Sequence, residues 1–283
     1  MSSVTLNSLK MIYFCYRSKA KTMKYLLSTI ILIAFNFPVI AQESNPLPNE
    51  AYQLYPTLHD MYGYAIGDVN NTILVFGGRI KSDVPEVYSE DFPNTEIILI
   101  DLERDRATAF SSGALAGIVA EQMAATGLAY FQKDSILYLI GGYGYSESQD
   151  RFITFPHLTA INMIPMIAAL EKGESPDPHF YQICDERIAI FDGLLDHNGD
   201  EYFLMNGKFA YKLDPFSEEP TYHEEDRIKE VRTFQLDGTA AQPKITNLQT
   251  WYDLQGFSDY YGPLLPEKIN NELYKLIERR ISQ

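Results

Sequence analysis

Cysteine is nearly absent from this 283-residue chain, which carries only Cys15 and Cys184. Two thiols cannot build a disulfide-stapled domain or a four-thiolate zinc site. Basic residues are also scarce, with 23 Lys and Arg against 38 Asp and Glu. The formal net charge of −15 repels phosphate backbones and anionic lipid headgroups, so neither nucleic acid nor such a membrane is an expected partner. The five histidines, His59, His157, His179, His197 and His223, show no metal-type spacing. No nucleophile elbow, phosphate loop or dinucleotide fingerprint occurs. Asp196-His197-Asn198-Gly199-Asp200 begins like a calcium loop, but Glu201 stands where such a loop needs glycine and Gly207 where it needs glutamate. A hairpin turn is the better reading, and no cofactor or metal is expected.

One long apolar run does occur, Tyr25–Phe37, preceded by Met23 and Lys24 and followed by Val39-Ile40-Ala41. A basic start, an apolar centre and a small-residue end make a secretory signal peptide, with cleavage between Ala41 and Gln42. The residues before Met23 show no structural pattern, which makes Met23 the expected true start and residues 1–41 the segment removed. The run is too short for a spanning helix, so no stable membrane insertion is expected after cleavage. The expected location is secreted or periplasmic. Residues 1–41 hold five basic and no acidic residues, so 18 basic residues remain against 38 acidic, a net charge of −20. Cys184 is then the one cysteine left, and no intramolecular disulfide can form. Asp185 and Glu186 follow it, and nothing nearby would lower its pKa, as in a structural thiol.

The rest of the chain repeats itself. Ile136–Tyr145 reads ILYLIGGYGY, Thr72–Ile80 reads TILVFGGRI, and Glu201–Phe209 reads EYFLMNGKF. Gly77, Gly141 and Asn206 are therefore equivalent positions, almost equally spaced along the chain. Each copy follows a shorter apolar run and a turn rich in Asn, Asp or Gly. The runs are Tyr62–Ile66, Leu128–Phe131 and Ile188–Phe191. Two runs about such a turn make a β-hairpin. A third run follows each glycine pair: Glu96–Ile100, His157–Ile161 and Val231–Leu236. Glycines Gly77, Gly78, Gly141, Gly142 and Gly207 end the second run, where positive φ or a close backbone approach is needed.

Hairpin, glycine pair and returning strand resemble the kelch repeat of β-propellers over Leu58–Trp251. The segments Gly141–Tyr145 and Ile153–Asn162 resemble secreted bacterial kelch-type proteins, a superfamily that includes the galactose-oxidase-like propellers. The resemblance implies an all-β fold of kelch-like propeller blades, with short inserted helices and a C-terminal helix. Three blades are recognisable, at 58–126, 127–187 and 188–251, after a flexible leader 42–57 and before a C-terminal segment 252–283. The period exceeds the ~50 residues usual for kelch, so each blade carries an insertion. Asn206-Gly207 departs from the glycine pair.

Between the runs, Arg106–Phe110 pairs with Glu96–Asp101 about the turn Glu103-Arg104-Asp105. A short helix is expected within Ser111–Thr126, capped by Ser112, with Leu115, Ile118, Val119 and Met123 on one face. Another starts near Pro165. The acidic run within Asp214–Glu230 reads as a solvated loop. Ile269, Leu273, Leu276 and Ile277 form an apolar stripe on the expected C-terminal helix. Three blades leave a ring incomplete and two outer faces open, so self-association through those faces is expected unless the stripe covers one.

The kelch resemblance implies ligand sites on loops at the channel mouth. It nominates Arg79, Tyr143, Tyr145 and Lys208, just after the glycine positions, with Phe155 and His157 on the second unit's return. Aromatics beside an arginine suit a sugar or a peptide. A copper-radical oxidase is disfavoured, because the galactose-oxidase resemblance would imply a cysteine cross-linked to a tyrosine plus histidine ligands, and Cys184 stands before the acidic pair Asp185-Glu186. The first reading is therefore a secreted binding module for a protein or glycan, more a binder than an enzyme. The alternatives are a carbohydrate-active propeller enzyme of the mutarotase kind, and a truncated fragment of a longer propeller protein.

Export has a direct test. Protein recovered from its native host should begin at Gln42 by N-terminal sequencing, and an intact Met1 or Met23 on folded protein would rule the cleavage out.

Overall fold

The computed structural model describes residues 47–82, 91–205, 207–209, 230–238 and 242–252. All of them lie within the unit Ala41–Gln283. The expected signal peptide, Cys15, Asn206, the acidic run 214–229 and the C-terminal helix lie outside the described residues.

Strand β1 (Met61–Tyr62) precedes the first sheet. That sheet starts with the hairpin β2 (Ala65–Val69) and β3 (Thr72–Phe76). Two short strands, β4 (Arg79–Ile80) and β5 (Phe92–Pro93), pair in the connection that follows. Strands β6 (Glu96–Asp101) and β7 (Arg106–Ser111) complete it, in the order β2-β3-β6-β7. The second sheet uses β8 (Thr126–Lys133), β9 (Ile136–Ser146), β10 (Arg151–Thr154), β11 (His157–Asn162) and β12 (Phe180–Cys184). Its four main strands run β8-β9-β11-β12, and β10 extends β9. The third is β13 (Leu194–Asn198), β14 (Glu201–Met205), β15 (Glu230–Asp237) and β16 (Lys244–Tyr252). The fold is thus mainly β, with three successive four-stranded antiparallel meanders stacked like propeller blades. The described residues do not close a ring.

Each leading hairpin turns through left-handed residues, as tight two-residue turns require. Asn70 and Asn71 have φ of 51° and 59°, Asp134 has 53° and Gly199 has 63°. The strands therefore run further into the polar stretches than their hydropathy suggests, β2 to Val69 and β8 to Lys133.

Several expectations need correction. Ile188–Phe191 is not the first strand of the third sheet. Ile188 ends a 3-10 turn (Glu186–Ile188), and the hairpin strand is Leu194–Asn198. Ile188 and Ile190 are buried between the second and third sheets, which is why the run is apolar. The units also have a fourth strand that hydropathy did not signal in the second and third, β12 and β16. Between the first two sheets the helix is shorter than expected, α2 (Gly117–Met123), and Ser111 caps the preceding 3-10 turn by accepting from the Gly113 amide. Ser112 instead donates to the Thr95 carbonyl.

From Leu47 onward the expected leader carries regular structure. It forms α1 (Asn49–Leu54) and a 3-10 turn (Pro56–Asp60). Leu47, Ala51, Leu58 and Met61 cover Ile73, Val75, Ile98 and Ile100, the outer face of the first sheet. That face is therefore closed by the chain itself. On the other face Leu74, Phe76, Ile97 and Leu99 pack against Leu137, Leu139 and Ile161 of the second sheet. Helix α3 (Met163–Lys172), which contains Pro165 and ends at left-handed Gly173, adds Met163, Met166 and Leu170 to this layer. Ile140 and Leu158 face Leu195, Tyr202, Leu204 and Phe234 of the third sheet.

Backbone hydrogen bonds set the register between sheets, and they repeat. The Gly127 amide donates to the Gly63 carbonyl, and the Asp192 amide to the Gly127 carbonyl, both at 2.8 Å. All three residues are left-handed, at φ of 65°, 67° and 51°. A second pair of bonds joins glycine pair to link. The Gly78 amide donates to the Ala125 carbonyl at 2.9 Å, and the Gly142 amide to the Ile190 carbonyl at 2.8 Å. Gly77 and Gly141 are left-handed too, and a Cβ on either would fall onto the carbonyl oxygen of the same linker residue, Ala125 or Ile190. The glycine pairs are close-approach points between sheets.

Gly141→Val should lower stability by about 2–4 kcal/mol, because left-handed strain and a backbone clash act together. Gly173→Ala should cost about 1–2 kcal/mol from strain alone, since nothing lies within 4 Å of a Cβ there. Urea midpoints check the order, and equal small losses would remove the role assigned to the pair.

Candidate functional site

In a four-stranded meander, the connection between strands two and three and the link to the next sheet emerge at the same end. The residues after the glycine pairs therefore gather with the inter-sheet links. In the second sheet β9 does not stop at Gly141-Gly142. It continues to Ser146 and returns as β10, with Thr154 opposite Tyr143 and Arg151 opposite Ser146. Residues Glu147–Asp150 form the tip of this projecting hairpin.

Strand alternation puts Tyr143 and Tyr145 on one face. Phe152, opposite Tyr145, lies between them, with ring centroids 5.8 Å from Tyr143 and 5.4 Å from Tyr145. Tyr143 also meets Phe191 of the next link, at 5.2 Å. Lys208 completes the row, its Nζ 5.7 Å from the Phe191 ring centroid and 3.0 Å from Asp192 Oδ2. The row passes from buried Tyr143 and Phe191 to Tyr145, which is 44% exposed. The Tyr145 hydroxyl donates to Asp150, and that bond first, then burial and the charges of Asp150 and Glu147, raises the phenol pKa. The phenol thus stays a neutral platform of the kind that stacks on apolar sugar faces or peptide side chains.

The opposite face of the hairpin is buried. A Cβ on Gly144 would lie 3.3 Å from the Phe155 ring, which has no exposure. Phe155 therefore packs and does not present itself to a ligand. His157 is also buried, and its Nδ1 has no hydrogen-bond partner. Burial pushes the imidazole pKa down, opposed in part by Glu121. Glu121 Oε1 accepts from the Ser148 amide at 3.3 Å, tying the hairpin tip to α2, while its buried Oε2 has no partner. Beside it Gln122 is fully buried, and its Nε2 donates to the Gly141 and His157 carbonyls at 3.1 and 3.0 Å. Its Oε1 accepts from Thr159 and Gln182.

Of the six nominated residues, Tyr143, Tyr145 and Lys208 share the aromatic face. Phe155 and His157 lie behind it. Arg79 holds the corresponding place in the first sheet: β1 pairs Tyr62 with Arg79, β8 pairs Thr126 with Tyr143, and Phe191 bridges to Lys208. Arg79 Nη1 contacts the Asp91 carbonyl at 3.4 Å. The Asp91 carboxylate accepts from the Tyr62 hydroxyl at 2.6 Å, which holds its pKa below the usual range. Hydropathy did not point to Phe152 or Asp192, and it marked Phe191 only as the end of an apolar run. Register points to Asp192, since it follows Gly127 at the repeat interval. Among the described residues, no group of three His, Cys, Asp or Glu is placed to hold a metal ion. Burial and then the Glu186 and Asp185 carboxylates raise the Cys184 pKa, which leaves it a weak nucleophile.

No family model and no curated protein matches the chain. Among solved structures it is similar to one titled "Structure of YjhT", at 11% identity and a TM-score of 0.41, over 68% of this chain and 52% of that one. It is also similar to a chain of a cryo-EM structure of RAG in complex with one melted RSS and one unmelted RSS. There the identity is 16% and the TM-score 0.40, over 74% of this chain and 50% of the other. The chain thus matches about half the length of each.

The buried imidazole has a pH signature. Its folded pKa lies below the ordinary 6.5, so the unfolded chain takes up the proton first as pH falls. Stability is lost as pH drops through that value, and the loss levels off below the folded pKa. Urea midpoints should fall between about pH 7.5 and about pH 5.5, and less steeply in His157→Gln. Parallel curves would show that His157 carries none of the dependence.

Proposed function

We propose that the protein is an exported, kelch-like propeller-type binding module that presents the second sheet's hairpin to a glycan or a protein. The observation that carries this reading is the aromatic face Tyr143-Phe152-Tyr145, continued by Phe191 and ended by the Lys208–Asp192 pair. Ring contacts within the face and the Tyr145 hydroxyl on Asp150 hold the rings before any ligand arrives, which lowers the ordering cost of binding. The kelch-like reading draws on the recurring hairpin, glycine pair and returning strand at near-constant spacing. The export reading draws on Lys24, Tyr25–Phe37 and Val39-Ile40-Ala41.

A carbohydrate-active enzyme of the mutarotase kind is the second reading, and the buried His157 near Glu121 is what favours it. An acid–base pair needs a carboxyl held protonated near neutrality and facing the substrate. Among the described residues, the carboxylates with displaced pKa values, Asp91 and Asp185, are both displaced downward by their partners, Tyr62 and Arg187. His157 and Glu121 also lie on the face of the hairpin away from the aromatic row. Binding is therefore the stronger reading.

A glycan array and a pull-down from native extracellular material, both with the chain from Gln42, test the proposal. For the ligand found, Tyr145→Ala should weaken binding about tenfold, the worth of one aromatic contact. The urea midpoint should stay unchanged. Unaltered affinity in Tyr145→Ala would move the binding surface elsewhere.

A further inference from the structure

An aromatic ring, a carboxylate and a cation come together near two of the three glycine positions. In the third unit the members are Phe191, Asp192 and Lys208, with Lys208 Nζ 5.7 Å from the Phe191 ring centroid and 3.0 Å from Asp192 Oδ2. In the first unit they are Tyr62, Asp91 and Arg79. Tyr62 stands opposite Arg79 in the β1–β4 pair, and its hydroxyl donates to Asp91 Oδ2 at 2.6 Å. That bond first, then the Ser82 amide and the Arg79 and Lys81 charges, hold the Asp91 pKa down. The cation comes from one register position in both units, since Arg79 follows Gly77-Gly78 as Lys208 follows Asn206-Gly207.

The second unit has the ring and the carboxylate without the cation. Tyr143 fills the register position of Arg79 and Lys208, and its buried ring packs with Phe152 and Phe191. Further along the strand, Tyr145 is 44% exposed, and its hydroxyl donates to Asp150 as that of Tyr62 donates to Asp91. Glu147 is a second exposed carboxylate, near enough for its charge to act on the phenol. Among the described residues, neither Glu147 nor Asp150 takes part in an ion pair. The hairpin's basic residue, Arg151, stands opposite Ser146, on the strand face away from Tyr145 and Phe152. Its guanidinium donates to Gln149 Oε1 at 3.2 and 2.8 Å. A ring face attracts a cation through its quadrupole and a carboxylate attracts it through charge, so one ammonium or guanidinium can satisfy both.

We propose that the Tyr145–Asp150 corner, with Glu147 beside it, takes a lysine or arginine side chain from a protein partner. The partner's cation supplies at the second unit what Arg79 and Lys208 supply at the flanking ones. In both flanking units the cation is a protein side chain, and this favours a basic protein segment over a neutral sugar. The inference rests on the reading of the hairpin as a binding surface and specifies the chemistry of what it binds.

Fluorescence anisotropy on the full chain from Gln42 tests it, with a labelled peptide of repeated Gly-Ser-Arg and a counterpart carrying neutral citrulline in place of arginine. The arginine peptide should bind at least about tenfold more tightly than the citrulline one. The double variant Glu147→Gln with Asp150→Asn should weaken that binding about fivefold. Tyr145→Leu, which keeps an apolar side chain and removes the ring face, should weaken it by about the same factor. Glu103→Gln with Asp105→Asn removes equal charge from the β6–β7 turn, at the opposite end of the sheets, and should change affinity less than about twofold. Urea midpoints show that each variant is folded. No binding of the arginine peptide, equal binding of the two peptides, equal losses in the two double variants, or an unaltered affinity in Tyr145→Leu would each overturn the inference. Those results concern the cation alone: the hairpin falls as a binding surface only if Tyr145→Ala leaves the affinity for the native ligand unaltered.

Discussion

The structure depends on one recurring contact, a backbone amide of one unit donating to the carbonyl of the unit before it through a left-handed residue. Apolar burial drives the sheets together but is non-directional, so sheets held by it alone could slide. The bonds from Gly127 to Gly63 and from Asp192 to Gly127 are directional and remove that freedom. They work because the glycine pair admits the next link's carbonyl where a side chain would stand. The third position shows what the contact makes available. Asp192 accepts left-handed strain that glycine would avoid, and in return places a carboxylate 3.0 Å from Lys208 Nζ. A structural joint and a charged corner of the aromatic face are the same residue.

A second recurring interaction is met by different parts of the chain. In the first sheet the Asn94 side-chain amide donates to the Gly77 and Glu96 carbonyls, at 3.0 and 2.9 Å. In the second sheet Gln122 donates to the equivalent pair, Gly141 and His157. These carbonyls are left without a ladder partner where the strands part around the glycine pair, and an unpaired buried carbonyl costs about 1–3 kcal/mol. The requirement belongs to the fold, and the donor is whichever amide comes within reach. Asn94 arrives on the returning strand, whereas Gln122 arrives on helix α2 of the link. The second solution also fastens α2 to the sheet, and with it Glu121, which holds the hairpin tip.

This explains what could be read from the sequence. The hairpins, the glycine pairs and the third strands were legible because each has a local chemical signature: left-handed turn residues, paired glycines, alternating apolar residues. Ile188–Phe191 was misplaced because a buried linker and a buried strand look alike in hydropathy, while the interval from Leu128–Phe131 would have pointed beyond it to Leu194. Burial of the leader was hidden because its apolar residues are scattered among polar ones and prolines: Leu47 and Ala51 are buried on the sheet, and Tyr52, Leu54 and Tyr55 are partly buried beside them. In the candidate site, the residues after the glycines were legible by register, but their division between two faces was not. Alternation beyond a glycine pair depends on how the pair bends the strand. That bend sends Tyr143 toward Phe191 and leaves Phe155 and His157 behind. Gln122 left no signal, because its partners are backbone carbonyls.

Continuity of β9 ties the core to the candidate surface. Leu137, Leu139 and Ile140 lie in the two inter-sheet layers, and Tyr143 and Tyr145 follow on the same strand. A projecting hairpin of this length would be mobile if its ladder were its only support. Three contacts work against that: the Ser148 amide on Glu121, the Tyr145 hydroxyl on Asp150, and Phe191 against Tyr143. They reach the tip, the exposed edge and the base, and they originate in α2, in the hairpin itself and in the next link. The aromatic face is held by neighbouring units in register, so loosening the joint at Asp192 would release Phe191 and Lys208 together. The proposed binding surface and the sheet joints are therefore coupled through residues that need not touch a ligand.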